Sequence, residues 1–138
     1  MAIDRLREDQ EIVQRLMDCQ SSQDWDGVRE ALTDDAVFEM PFIHERYSGK
    51  EQIIARWRPA HERMDGARFY DLTLRPLAEP GWYVGRFRNT CGVKTTGLTY
   101  DQDYIAMFQV RDGKVALFQE FFDTLRLAVA LKRVQRLE

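Results

Sequence analysis

The sequence predicts an α+β domain, with helices gathered on one face of a mainly antiparallel sheet. Three observations support this. Apolar residues recur at helical spacing through most of the chain before Gly66, the chain from Ala67 to Asp123 reads as strands broken by turn residues, and a last helical stripe begins after Thr124.

Taken in order, Ile3, Leu6, Val13, Leu16 and Met17 form one face of a helix over Ile3 to about Gln20, with charged residues on the other. Asp24 to Leu32 (D-W-D-G-V-R-E-A-L) reads as a short second helix capped by Asp24. Next comes a strand, A-V-F-E-M-P-F, in which Phe38, Met40 and Phe42 share a face. Ser48-Gly49-Lys50-Glu51 has the form of a capping box opening a third helix through Ile53, Ile54 and Trp57, which Pro59 is expected to end or bend. Ala67–Leu77, Trp82–Cys91 and Leu98–Val110 are strand-like, and Asp112-Gly113 makes a hairpin turn into a last strand, Val115–Asp123. Thr124–Leu137 is expected to be helical, with Leu127, Leu131, Val134 and Leu137 on one stripe and Asp123 as its N-cap. Tyr104, Ala106, Phe108 and Val110 alternate with Ile105, Met107 and Gln109, so both faces of that strand expect cover: helices and a pocket on one side, a second subunit on the other.

At 138 residues, the chain from 1 to 138 is expected to form one domain with a true hydrophobic core. A net charge of −3 gives no reason to expect a nucleic-acid or anionic-membrane partner. The N-terminal residues have no signal-peptide core, and no apolar run reaches membrane-spanning length. Two distant cysteines, Cys19 and Cys91, fit reduced thiols and a cytoplasmic location. With only His44 and His61 as imidazoles and no Cys/His cluster, neither a metal nor an organic cofactor is expected. Glycine-rich nucleotide signatures are likewise missing from the sequence.

The stretch V-A-L-F-Q-E-F-F-D (115–123) carries the best clue to chemistry. Strand alternation places Ala116, Phe118, Glu120 and Phe122 on one face, so Glu120 is a carboxyl group set among apolar neighbours. Loss of solvation favours its neutral form and raises its pKa, as a general acid or base at neutral pH requires. A purely structural role would make Glu120 the ion-pair partner of Arg86 or Arg88 on a nearby strand. If the Asp112-Gly113 turn has two residues, Glu120 faces Ile105, and Asp103 faces Phe122 on the same side of the sheet. Two carboxylates in one pocket would then divide the roles of acid and base. A bulge would move Asp103 to the opposite face. Phe42, Trp57, Trp82, Met107, Phe118 and Phe122 are candidates for core or for the wall of a pocket suited to an apolar or aromatic molecule.

The segments E-M-P-F-I-H-E-R-Y-S-G-K-E (39–51), Y-D-Q-D-Y-I-A-M-F-Q-V-R-D-G-K-V (100–115) and Q-E-F-F-D (119–123) resemble the nuclear transport factor 2-like, SnoaL-like or ketosteroid isomerase-like superfamily. Within it the PhzA/PhzB phenazine-biosynthesis group is most similar. The resemblance implies a cone-shaped, curved sheet with helices on its concave face, a deep pocket and a homodimer. It places Glu120 at the group's catalytic glutamate, while the position of the group's catalytic histidine, counted from Gly49, falls on Arg56. His61 lies about one turn further on. The family geometry also places the loop holding His44 and Tyr47 near the pocket mouth, as a proton shuttle and a phenolic donor. The function so implied is that of a homodimeric enzyme for isomerisation, cyclisation or hydration, with Glu120 as acid or base. A non-catalytic ligand-binding protein and a dimeric assembly module are the alternatives on the same fold.

Overall fold

A computed structural model of the chain describes residues 2–133. Two helices, α1 (Ala2–Ser21) and α2 (Trp25–Ala31), lead into β1 (Leu32–Met40), a 3-10 turn at Pro41–Ile43, β2 (Glu45–Ser48) and α3 (Lys50–Arg63). After them come β3 (Met64–Asp65), β4 (Phe69–Pro76), β5 (Trp82–Val93), β6 (Thr99–Arg111), β7 (Lys114–Phe122) and α4 (Thr124–Ala130). Among the described residues the strands form one seven-stranded sheet in the order β2-β1-β7-β6-β5-β3, with β4 also paired to β5. Among the described strands only the β1–β7 pairing is parallel. Among the described residues no helix is long and apolar enough to cross a membrane.

The inner face of the sheet carries Phe38, Met40, Leu74, Tyr83, Phe87, Tyr104, Phe108, Phe118 and Phe122, all buried. Val13, Leu16 and Met17 of α1, Val28 of α2, and Ile53, Ile54 and Trp57 of α3 close over it. Phe87 stacks on Tyr104 with ring centres 4.6 Å apart, while Phe118 meets Phe38 edge-on at 5.3 Å. Gly85 lies where a Cβ would come within 2.8 Å of the Phe108 ring, so the absent side chain makes room for an aromatic layer.

Local capping follows the sequence at two helices and departs at a third. Asp24 accepts from Gly27 N–H, and Asp123 accepts from the Leu125 and Arg126 N–H groups. At α3 the cap is Gly49, whose φ of 86° favours glycine, and no side chain caps the helix. Instead the Gln52 carboxamide accepts from Ser48 N–H, and Glu51 pairs with Arg29 at 2.7 Å. The expected Ser48–Glu51 capping box is therefore not formed.

Pro59 does not end α3, which runs on to Arg63. Proline is costly inside a helix, but here the last turn is anchored by the buried His61. The final helix stops at Ala130, with Lys132 in a left-handed conformation, and the Val134 and Leu137 part of the expected stripe lies outside the described residues. The short strands β2 and β3 are additions that the sequence pattern did not announce.

The register of the β6–β7 hairpin decides which residues share the inner face. Arg111 faces Lys114, as a two-residue turn requires, but the register then shifts. Val110 faces Val115 while Gln109 faces Leu117, leaving Ala116 as an extra residue in β7. Beyond this bulge Glu120 faces Ala106, not Ile105, and Phe122 faces Tyr104. Asp103 is consequently on the outer face.

Candidate active site

Between the inner face of the sheet and helices α1, α3 and α4 lies an open cavity of about 440 Å³. Strands β1, β6 and β7 contribute Phe38, Met40, Tyr100, Tyr104, Glu120 and Phe122 to it. Helix α3 contributes Arg56, Trp57 and His61, and Gln20 enters from the end of α1. Leu127 and Leu131, in and after α4, line it as well.

Glu120 lies on β7 between the inward-facing Phe118 and Phe122 and is half-buried. Burial pushes its pKa up to about 8, against a smaller downward pull from the Arg56 charge. Among the described residues its carboxyl group has no hydrogen-bonding or ion-pairing partner. The alternative pairing with Arg86 or Arg88 is not made: Arg88 lies on the outer face and binds Asp103 at 3.1 Å, and Arg86 is exposed on that same face.

His61 is 4% exposed, and burial, helped by the Arg56 charge, lowers its pKa to about 4. The imidazole is therefore neutral at neutral pH. Its Nε2 lies 3.0 Å from Gln20 Nε2, and its ring packs edge-on against Trp25 and Phe69. Arg56 Nε donates to Glu45 Oε1 at 2.9 Å, and Tyr47 OH donates to the same oxygen. Burial would raise the Glu45 pKa, but the bonds from Tyr47 and Arg56 prevail and lower it. Burial also pushes the Tyr100 phenol up to about 12 and Tyr104 well above its ordinary value. At neutral pH the cavity thus presents a protonated Glu120, a neutral His61 and two intact phenols, with the Glu45–Arg56 ion pair beside them. Among the described residues no group of three His, Cys, Asp or Glu side chains could hold a metal ion.

Of the residues singled out in the sequence, Glu120, Trp57 and Phe122 line this cavity. Phe118 is core, packed edge-on against Phe38 and Trp57. The structure does not bring the others in. Asp103, held by Arg88 and Arg126, is on the outer face because of the Ala116 bulge. Trp82 and Met107 face outward too, opposite Gln109 and Val84. Phe42 is 63% exposed and meets Phe121 at 5.1 Å, because the chain turns at Pro41 and rotates it away from Phe38 and Met40. His44 is exposed at the left-handed end of that turn, and Tyr47 is spent on Glu45.

Sequence reasoning missed Gln20, His61, Tyr100 and Tyr104 as cavity residues. His61 had a signal, since Ile53, Trp57 and His61 recur every four residues on one helical face. Reading Pro59 as a stop concealed it.

A model of the SnoaL-like domain family matches residues 13–118. The chain belongs to the SnoaL-like family. An uncharacterized PhzA/B-like protein of Pseudomonas aeruginosa is 30% identical to it over 105 residues, 73% of this chain and 74% of that protein. The crystal structure of a phenazine biosynthesis-related protein from the same organism superposes with a TM-score of 0.77 at 15% identity, covering 99% of this chain and 94% of the other. A Catenulispora acidiphila protein with a ketosteroid isomerase-like fold gives a TM-score of 0.76 at 10% identity, over 87% and 91% of the two chains. These likenesses establish the SnoaL-like fold, a curved sheet with four helices among the described residues, the last of them following the final strand.

Proposed function

We propose that this SnoaL-like protein catalyses proton transfer on an apolar or aromatic small molecule, with Glu120 as the proton carrier. The observation that supports this is a carboxyl group held protonated at neutral pH, without a partner among the described residues, on the wall of an open cavity of about 440 Å³. Such a group can give its proton to a ligand carbonyl oxygen. The resulting carboxylate, drawn toward the Arg56 charge, then takes a proton from the neighbouring carbon. The O–H bond of Glu120 is broken and remade, a C–H bond becomes an O–H bond, and the carbonyl becomes an enol. Ketone isomerisation and aldol-type cyclisation pass through such an enol, and in a hydration the same carboxyl group would protonate the ligand oxygen while water adds.

The test is turnover by Glu120→Gln against a panel of cyclic ketones, read as exchange of the acidic carbon proton for solvent deuterium. Wild-type exchange and its loss in the folded variant are expected. Equal exchange by both removes Glu120 from the mechanism. The protein is further proposed to work as a homodimer through the outer sheet face, where Phe42 and Ile105 are exposed, and to do so in the cytoplasm.

A further inference from the structure

Arg56 lines the cavity from α3 with a guanidinium that is held by one edge only. Its Nε donates to Glu45 Oε1 at 2.9 Å, and Tyr47 OH donates to that same oxygen, so β2 fixes the direction of the group. Burial opposes the Arg56 charge, but the bond and the charge of Glu45 outweigh burial and keep the group cationic. Among the described residues the guanidinium makes no other hydrogen bond, so Nη1 and Nη2 lack a partner. They are not walled off. The side chain is 28% exposed, and the buried polar atoms without a partner belong to Gln20, Trp57 and His61 instead. The remaining N–H groups of Arg56 are therefore free to bond a molecule in the cavity.

The charge of the lining points the same way. Three arginines, Arg56, Arg63 and Arg133, line the cavity against one ionised carboxylate, Glu45. At neutral pH Glu120 keeps its proton and His61 is uncharged. The cavity is thus positive in a chain whose net charge is −3. The Arg56 charge reaches both Glu120 and His61, whereas Arg133 is exposed and acts on Glu45. Phe38, Met40, Phe69 and Phe122 supply apolar surface for a ring. An anionic oxygen loses hydration on entering such a space, and a half-buried guanidinium offsets that loss more fully than a surface charge does.

We propose that Arg56 binds an oxyanion carried on the ring of the ligand, so that the natural ligand is an apolar or aromatic ring compound held as a phenolate or an enolate. Glu45 and Tyr47 are positioning residues that aim the guanidinium. This rests on the reading of the cavity as a small-molecule site, and it names the ligand class that reading leaves open. The oxygen that changes when a carbonyl becomes an enol is the one an anchored cation serves best, since a charged acceptor takes the stronger bond.

The test is binding of 4-nitrophenol, 4-nitroanisole and 4-nitrobenzoate at neutral pH, measured by calorimetry. Absorbance tells the bound yellow phenolate from the colourless phenol. The proteins are the wild type, Arg56→Gln and the double variant Arg56→Gln/Glu45→Gln, each verified as folded by near-ultraviolet circular dichroism. The double variant leaves no unpaired carboxylate behind, so it decides if the single variant fails to fold. The wild type is expected to bind the phenolate and to prefer it over 4-nitroanisole by roughly 10- to 100-fold. That preference should fall to about threefold or less without the guanidinium. Equal affinities for 4-nitrophenol and 4-nitroanisole, or a bound probe that is colourless, overturn the oxyanion site while leaving the cavity reading intact. A preference that survives in the double variant also overturns it, by moving the anion to Arg63 or Arg133. Binding of 4-nitrobenzoate about tenfold tighter than the phenolate overturns it in favour of a carboxylate ligand. Binding of no probe overturns both the oxyanion site and the cavity reading.

Discussion

Glu120 stands directly across from Ala106 in the antiparallel pairing of β6 and β7, one residue out of step with the hairpin turn below it. The extra residue, Ala116, separates the two acids that an unbroken register would have placed together. Glu120 lines the cavity without Asp103, which is given to Arg88 and Arg126, and the second carboxylate there, Glu45, is paired with Arg56. A carboxyl group that faces a small methyl side chain and has no hydrogen-bonding partner among the described residues has little to ionise toward, apart from the Arg56 charge.

Its titration is the first expectation. Carbon-13 NMR of labelled glutamate side chains should show one carboxyl with a midpoint near pH 8 that vanishes in Glu120→Gln. Because the folded protein keeps this proton above the ordinary 4.5, it binds more protons than the unfolded chain across that window. Stability should therefore decline as pH rises from about 4.5 to 8, and Glu120→Gln should flatten that decline by about a few kcal/mol. Denaturant midpoints measured across the range check the sign.

His61 titrates in the opposite sense. Its folded pKa is depressed to about 4 from 6.5, so the unfolded chain takes up the proton first. The stability it contributes is complete above 6.5 and is lost as pH falls toward 4. His61→Gln should blunt this acid limb, as measured by urea unfolding.

Arg56 acts on both groups through its charge, lowering each pKa. In Arg56→Gln the midpoints of Glu120 and His61 should both move upward, and Glu45 should lose its ion-pair partner. A downward move of either midpoint would contradict the assigned electrostatics.

At the opposite end of α1, Tyr83 OH and Arg5 both donate to the buried Asp9. Tyr83→Phe removes one bond to a carboxyl oxygen while keeping the ring, and should cost about 1.5–3 kcal/mol of unfolding free energy. Chemical denaturation measures it directly. Turnover should be unchanged, because none of these three residues lines the Glu120 cavity.

The outer face supplies the last expectation. Ile105 is 53% exposed beside the Phe42–Phe121 pair. Ile105→Asp should convert the proposed dimer to a monomer in sedimentation equilibrium, since a buried unpaired carboxylate opposes association. A wild type that sediments at the mass of a single chain would refute the dimer.

Much of this molecule obeys local rules. Helical spacing located α1 and α2, strand alternation located β4 to β7, and the short carboxylates of Asp24 and Asp123 marked two caps. The isolation of Glu120 among phenylalanines was also readable, because its neighbours are set by period-two alternation along β7 alone. The remaining site residues depend on relations between elements. Asp103 was misplaced because a single inserted residue inverts every facing beyond it, and no residue type at Ala116 announces a bulge. Phe42 turned outward because the chain rotates at Pro41. His61 and Gln20 met because α3 continues past Pro59 and packs on the end of α1. Sequence by itself determined which groups could do chemistry; the packing of distant segments determined which of them face the same cavity, because water exclusion and unpaired hydrogen bonds are properties of an enclosed volume.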